Sequence, residues 1–578
     1  MLRIFQPYSR AMKRINSITT LYCLSVINLL MMYYTIVWTC EMEKPLVFID
    51  FIDNLSGVML EVLFLTGIIS VFVRKRVSVV QVLCFFITGI WAFANIVYSR
   101  FFGQYIPLSA FGESGNMLDK EMLKCLVSGL MWSDLYFVVV GIIVAFWYLK
   151  LPPVPIQLAT IYRGIVFSLM IVLMDLLMHF VLNPTIHIHS YFATLRSELF
   201  SSWRYTCQPL YANFQRGSMR SVSFSFIESF LKERELSETQ KAEIHDEMIK
   251  LRPMQLSDCR VKRDIKNVIV LLVESYMSFS VNMKIGGKEV TPFLNSLARD
   301  SSVLYNGRMT SNITVGESSD GQFIYMTGLL PLRSEITISE ARKRNLQGLP
   351  GILAREKGME TRMIVPTSAS FWSQDVMCER YGIKQLYSRN DYSKPHDSFL
   401  SDKQIFELAA HIDAKSRQPF FSIILTYSMH VPYVDRIDST FNVYDETFSP
   451  TMNYYLNACH FMDTQMREYF ESLKRNDLYE NSMIVIVSDH HVSKKQLELP
   501  SRISERELPL FIVNSGLSRS QVWAQECNQL DVYTTLLDML GIDNAWMGLG
   551  HTLLTDSYEG SVSPKTWELS EWIITSGY

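Results

Sequence analysis

The nine residues Met483-Ile-Val-Ile-Val-Ser-Asp-His-His491 decide the fold. Five apolar residues, mostly β-branched, run through one serine into an acid and two histidines. A continuous apolar run this short reads as a strand buried on both faces of a sheet. In open α/β sheets, ligands sit just past the carboxyl ends of such strands. Asp489 and His490 stand at that edge. A carboxylate oxygen beside an imidazole nitrogen suits a borderline divalent ion such as zinc or manganese. On these nine residues alone, a polar loop with hydrogen-bonded, inert histidines is the alternative.

Similar strands surround this one in the sequence. The candidates are Val268–Val273, Met363–Val365, Phe420–Leu425 and Leu508–Val513, separated by polar, helix-like stretches. That alternation predicts an α/β domain with a largely parallel sheet. The first strand ends in Glu274, mirroring the one that ends in Asp489 and His490, so the two ends could lie side by side. Between them falls Thr314-Val-Gly-Glu-Ser-Ser-Asp-Gly-Gln322, with the hydroxyls of Ser318 and Ser319 flanked by glycines. The following Phe323-Ile-Tyr-Met326 predicts the start of a helix. A hydroxyl at a helix N-terminus, touching a metal, can ionise near neutral pH and attack phosphorus. A capping loop with no chemistry is the other reading of the same residues.

The first third of the 578 residues has a different character. Net charge is −3, which gives no field for nucleic acid. Hydrophobic residues make up 48% and are concentrated here. Apolar stretches near 17–39, 55–73, 78–98, 129–149 and 160–182 are each long enough to cross about 30 Å of hydrocarbon. Arg3, Arg10, Lys13 and Arg14 precede the first, and Arg74-Lys75-Arg76 separates the second from the third. Glu41, Glu43, Asp50 and Asp53 lie on the other side. The positive-inside rule then places the N-terminus in the cytoplasm and everything after about residue 185 outside it. The first stretch is too long for a signal peptide and lacks a small-residue cleavage site. Asp175 and His179, inside the fifth stretch, read as a hydrogen-bonding pair near the interface.

The expected organisation is a five-helix transmembrane domain over 1–184, a helical juxtamembrane connector over 185–262 and an extracytoplasmic α/β domain over 263–578. In the connector, 224–234 and 238–251 have helical periodicity, and Ser237 with Gln240 forms a candidate capping box. Tyr191, Phe192, Trp203 and Tyr205 suit either a stem lying along the lipid headgroups or a plain linker. The nine cysteines are scattered with no Cys-x-x-Cys pair, so no disulfide framework is legible beyond room for one bridge.

Taken together these residues resemble a known family. Thr291-Pro-Phe-Leu-Asn-Ser-Leu-Ala298 is similar to the Thr-Pro helix of sulfatase-like proteins in the alkaline phosphatase superfamily. The order of Asn267-Val-Ile-Val270, Glu274, that helix, Gly316-Glu-Ser-Ser-Asp320 and Ser488-Asp-His490 resembles lipoteichoic acid synthases and related phosphoglycerol transferases. The resemblance implies five membrane helices ahead of a sulfatase-like catalytic domain. It implies one manganese ion, with zinc or magnesium as alternatives, held by Glu274, Ser318, Asp489 and His490. Ser318 takes the place of the family's threonine nucleophile. Phe421–His430 followed by Val-Pro resembles the strand that delivers a substrate-binding histidine, here His430. Ser370-Phe-Trp-Ser-Gln-Asp375 resembles the segment that lines the headgroup pocket through Trp372. The family's arginine there is Gln374, and an upstream histidine is missing around Val365 and Pro366.

The implied reaction moves a phospholipid headgroup to an envelope glycan or lipid acceptor through a phosphoseryl intermediate, in a bacterial inner membrane. Phosphoethanolamine transfer, phosphodiester hydrolysis and a non-catalytic envelope scaffold are the alternatives. A formylglycine sulfatase is disfavoured, because Ser318-Ser-Asp-Gly-Gln322 lacks the required proline and arginine.

Overall fold

The computed structural model describes residues 2–40, 48–73, 77–148, 210, 213–214, 217–229, 235–251 and 265–578. Within the last range it leaves aside 393–398, 493, 501–502, 518–525, 543–545, 555–559 and 561. The chain forms two compact units. One comprises 1–108 and 126–232; the other comprises 109–125 and 233–578.

In the first unit, the apolar stretches become helices Leu2–Thr39, Phe48–Phe72, Val77–Phe102 and Leu135–Tyr148. Among the described residues two segments, Thr19–Thr39 and Val79–Phe102, are long and apolar enough to cross a membrane. The pair Met122–Ser128 and Trp132–Trp147 makes a third only if counted as one span bent by 88°. The apolar part of the second helix, Gly57–Ser70, is shorter. The expected fifth stretch, with Asp175 and His179, lies outside the described residues, as do Tyr191, Phe192, Trp203 and Tyr205. Leu29, Tyr33, Ile36, Val58, Val62 and Ile96 interlock in the core of this unit. Glu61 is buried in it and satisfied: its carboxylate accepts from Tyr33 Oη at 2.8 Å and from Met219 N at 2.9 Å. That bond caps the helix Ser218–Ser229, which begins six residues before the expected 224. The capping partner lies 158 residues away, where local periodicity carries no trace of it.

In the second unit, the helix Glu238–Leu251 has the expected bounds. Its capping box is formed, with Gln240 N donating to Ser237 Oγ at 3.2 Å and Ser237 N to Gln240 Oε1 at 3.0 Å. Among the described residues ten strands follow: β1 (Asn267–Val273), β2 (Lys284–Ile285), β3 (Lys288–Glu289), β4 (Leu304–Thr310), β5 (Glu360–Ile364), β6 (Gln385–Tyr387), β7 (Phe420–Leu425), β8 (Ser482–Ser488), β9 (Glu507–Val513) and β10 (Cys527–Asn528). β2 and β3 form a hairpin, and the other eight form one sheet in the order β10-β4-β9-β8-β1-β7-β5-β6. The five strands from β8 to β6 are parallel, while β9 runs antiparallel to both β8 and β4. β1 and β8 are buried at every position, as continuous β-branched runs require. β4 was not expected as a strand; Leu304-Tyr-Asn-Gly-Arg-Met-Thr310 is polar and half-buried, with an irregular register to β9. Cys378, Cys459 and Cys527 are buried, unbridged thiols.

The helix Pro292–Arg299 follows Thr291 as the Thr-Pro signal requires, and Pro292 takes the first turn, where no N–H partner is needed. Its other free amides are satisfied from the 26-residue helix Pro450–Arg475: Phe293 N and Leu294 N donate to the Asp463 carboxylate at 2.9 and 2.8 Å. Asp463→Ala strands two donors in the interior. It should cost about 1–3 kcal/mol of stability, with Asp463→Asn between the two, in denaturant unfolding of the full chain.

Candidate active site

The register between β1 and β8 sets the geometry. Val273 pairs with Ser488, so Glu274 and Asp489 leave the sheet at the same level on adjacent strands. The ligand atoms of Glu274, Asp489 and His490 lie within 4.8 Å of one another. Asp489 is anchored on one side, accepting at Oδ1 from Ser275 N at 2.8 Å and from His490 N at 2.7 Å. Glu274 is fixed through its own amide, which donates to Thr426 Oγ1 at 2.9 Å just past β7. The His490 ring lies between, with Nε2 3.1 Å from Glu274 Oε1 and Nδ1 2.8 Å from the His491 carbonyl. If Nδ1 carries the proton toward that carbonyl, Nε2 is free to act as a ligand.

Ser318 opens the helix Ser318–Thr327, and its hydroxyl donates to Glu274 Oε2 at 3.3 Å. Ser319 is turned away, bonding its hydroxyl to Gly316 O at 2.7 Å. The geometry thus separates two serines that the sequence leaves as competitors. The loop before the helix is built around buried Asp320. Its carboxylate accepts from Thr314 N, Thr314 Oγ1 and Gly316 N at 2.9–3.0 Å, and from Thr337 Oγ1 at 2.9 Å. Glu317 is held at φ +47°, outside the ordinary region for a side chain of its size. Its carboxylate sits 3.4 Å from His490 Nδ1. Glycine is required at 321: a Cβ there would meet the Asp489 carbonyl oxygen at 2.2 Å.

The electrostatics are those of crowded acids. Burial pushes Asp489 up, and repulsion from Glu274 adds to it. Glu274 is also raised by burial, but the hydrogen bond and charge of His490, with the charge of His430, outweigh this and hold it down. Burial pulls His490 down, but Asp489, Glu274 and Glu317 overcome it and hold its proton well above the ordinary histidine range. Burial raises Glu317 to about 7. Two carboxylates, an imidazole and a hydroxyl converge on one point, with acid repulsion that a cation would relieve. This donor set fits a divalent ion with mixed oxygen and nitrogen ligands.

His430 is on the loop after β7. Asp402 holds that loop by accepting from Tyr427 N at 2.7 Å and Ser428 N at 2.8 Å. The His430 ring stacks on Tyr427 with centroids 5.1 Å apart. Trp372 is half-buried and is linked to the cluster indirectly: Gln374, two residues on, donates to Gln322 Oε1 at 3.0 Å on the Ser318 helix. Glu317, Asp320, Thr426 and Asp402 were not singled out in the sequence. Only Glu317 and Asp320, both inside the serine motif, offered a local signal.

The Sulfatase family model matches residues 266–542. Lipoteichoic acid synthase 2 of Bacillus subtilis is 25% identical over 505 residues, covering 83% of this chain and 75% of that protein. The lipoteichoic acid synthase of Staphylococcus aureus strain USA300 is 29% identical over 297 residues, 48% of this chain, and this chain spans 46% of its length. Among solved structures, the lipoteichoic acid synthase LtaP from Listeria monocytogenes superposes with a TM-score of 0.46 at 20% identity, over 55% of this chain and 80% of that one.

Gly321→Ala should push the Ser318 helix off Asp489. The expected result is a loss of about 1–3 kcal/mol of stability, read by thermal unfolding. Residues 266–542, which hold the Glu274–Asp489–His490 cluster, match the Sulfatase family model, and the chain is similar to the lipoteichoic acid synthases.

Proposed function

We propose that this chain is a membrane-bound, divalent-metal-dependent transferase that moves a phospholipid headgroup, as its phosphodiester, to a glycan or lipid hydroxyl of the bacterial envelope. The observation that carries the reading is the aim of the Ser318 hydroxyl at Glu274, 3.3 Å away, at the edge of the Glu274–Asp489–His490 cluster. Glu274, Ser318, Asp489 and His490 would hold the ion, manganese by the family resemblance. Once bound, it supplies charge neutralisation for the phosphoryl oxygens and a lower pKa for the serine hydroxyl.

The chain's own groups do the rest. Ser318 Oγ releases its proton to solvent and attacks phosphorus, and the bond to the diacylglycerol oxygen breaks. His430, on the loop held by Asp402, gives that oxygen its proton. The headgroup then sits on Ser318 as a phosphoseryl ester. The acceptor hydroxyl loses its proton to His430, which restores the one given away, and attacks phosphorus; Ser318 leaves and takes a proton back from solvent. Trp372 packs against the headgroup. A glycerophosphate headgroup fits the family resemblance, and the unbridged Cys378, Cys459 and Cys527 speak against the disulfide-rich phosphoethanolamine transferases. An enzyme confined to the bilayer also shares a surface with its lipid donor, which raises their effective concentration.

The decisive measurement is intact mass after incubation with manganese and mixed phospholipids, beside Ser318→Ala. A serine-dependent adduct is expected, and its mass names the headgroup; a chain with bound metal and no adduct contradicts the covalent route. A second expectation concerns pH. Metal ligands must shed their protons, and His490 holds one above the ordinary range. Apparent manganese affinity should therefore fall as pH is lowered through neutrality and rise as it is raised, with proton release detectable by calorimetry in buffers of different ionisation enthalpy. A pH-independent affinity would count against His490 as a ligand.

A further inference from the structure

The chain leaves the apolar helix Val77–Phe102 and, before entering Leu135–Tyr148, contributes residues 109–125 to the second unit. This segment makes specific bonds there. Glu113, buried, pairs through Oε1 with Arg342 at 3.0 Å and accepts from the Ser373 hydroxyl at 3.4 Å. Arg342 also donates to Ser373 Oγ at 3.0 Å. Asn116 Oδ1 accepts from Trp372 N at 3.3 Å. These bonds fall on two strained residues: Trp372 and Ser373 both have φ +52°. Successive side-chain-bearing residues in the left-handed region are strained and persist only where surrounding contacts over-determine them. Glu113, Asn116 and Arg342 are such contacts.

The same segment also contacts residues next to His430. Asp119 pairs with Arg389 at 2.9 Å, whose guanidinium lies 5.8 Å from the Phe399 ring. Phe399 meets Tyr427 edge-on at 4.9 Å, and Tyr427 stacks on His430. Cys125 Sγ lies 3.8 Å from the carbonyl of Val431, next to His430.

We propose that residues 109–125 are a positioning element for the headgroup pocket, with Glu113 and Asn116 fixing Trp372 in its strained conformation. This rests on the transferase reading, in which Trp372 and His430 contact the donor. The element touches no group of the Glu274–Asp489–His490 cluster among the described contacts. It therefore acts on donor recognition and not on the metal core. Headgroup recognition then depends on a segment that lies, in the chain, between two apolar helices.

The test uses the full chain in detergent with manganese and a soluble, short-chain phosphatidylglycerol. Wild type, Glu113→Gln, Asn116→Ala and Ser318→Ala are compared by initial rates, by manganese calorimetry and by amide deuterium exchange over 370–374. Loss of one charge-assisted bond at a strained site should raise KM roughly tenfold. In Glu113→Gln and Asn116→Ala, kcat should stay within about twofold, manganese affinity should be unchanged and exchange over 370–374 should quicken. The double variant Glu113→Arg with Arg342→Glu should recover part of the KM loss. Wild-type KM in both single variants overturns the proposal. So does a joint loss of kcat and manganese affinity in both, which marks a merely structural role. If wild type turns over no faster than Ser318→Ala, the transferase reading falls, and exchange then decides: quickened exchange with intact manganese binding sustains the positioning role, and unchanged exchange ends it.

Discussion

Two carboxylates forced to the same level at the end of one sheet are the constraint on which the second unit depends. The parallel register of β1 with β8 brings Glu274 and Asp489 together. Neither can retreat, because each is tied by a backbone or side-chain bond to its neighbours. Burying like charges side by side is costly unless a cation or a proton intervenes. Among the described residues His490 lies against Glu274 at 3.1 Å, and its positive charge, with that of His430, offsets the acids. The surrounding structure reads as the means of holding this arrangement. Gly321 lets a helix rest on the Asp489 backbone, and Asp320 folds the preceding loop so that Ser318 faces Glu274 while Ser319 is used up as a local cap.

The parts of this arrangement that were legible in the sequence are those written in contiguous residues. β7 runs over Phe420–Leu425 as its apolar run predicts, and β1, β8 and β9 differ from expectation by a single residue at one or both ends. A strand buried on both faces has no polar alternation to blur its limits. The juxtaposition of Glu274 with Asp489 followed from the rule that active groups gather at the carboxyl ends of parallel strands. The capping box at Ser237 was legible because both of its bonds lie within four residues.

What was not legible depends on partners distant in sequence. β4 is polar and becomes a strand only because β9 is there to pair with it. The start of the helix at Ser218 is set by Glu61, and the packing of 109–125 with the second unit is set by Arg342, Trp372 and Arg389. Tertiary hydrogen bonds of this kind leave no period in the local sequence. The family resemblance already favoured Ser318 over Ser319, but that the Ser318 hydroxyl faces Glu274 while Ser319 turns to Gly316 depends on where the helix lies.

The unbridged thiols bear on how this domain meets an oxidant. Cys378, Cys459 and Cys527 are buried within the second unit, and burial pushes the Cys378 thiol up to about 12. A thiol that resists ionisation is a poor partner in exchange chemistry. Among the described residues, the second unit gains its cohesion from sheet and helix packing and not from covalent cross-links. Oxidation of these three thiols therefore requires the packing around them to open first.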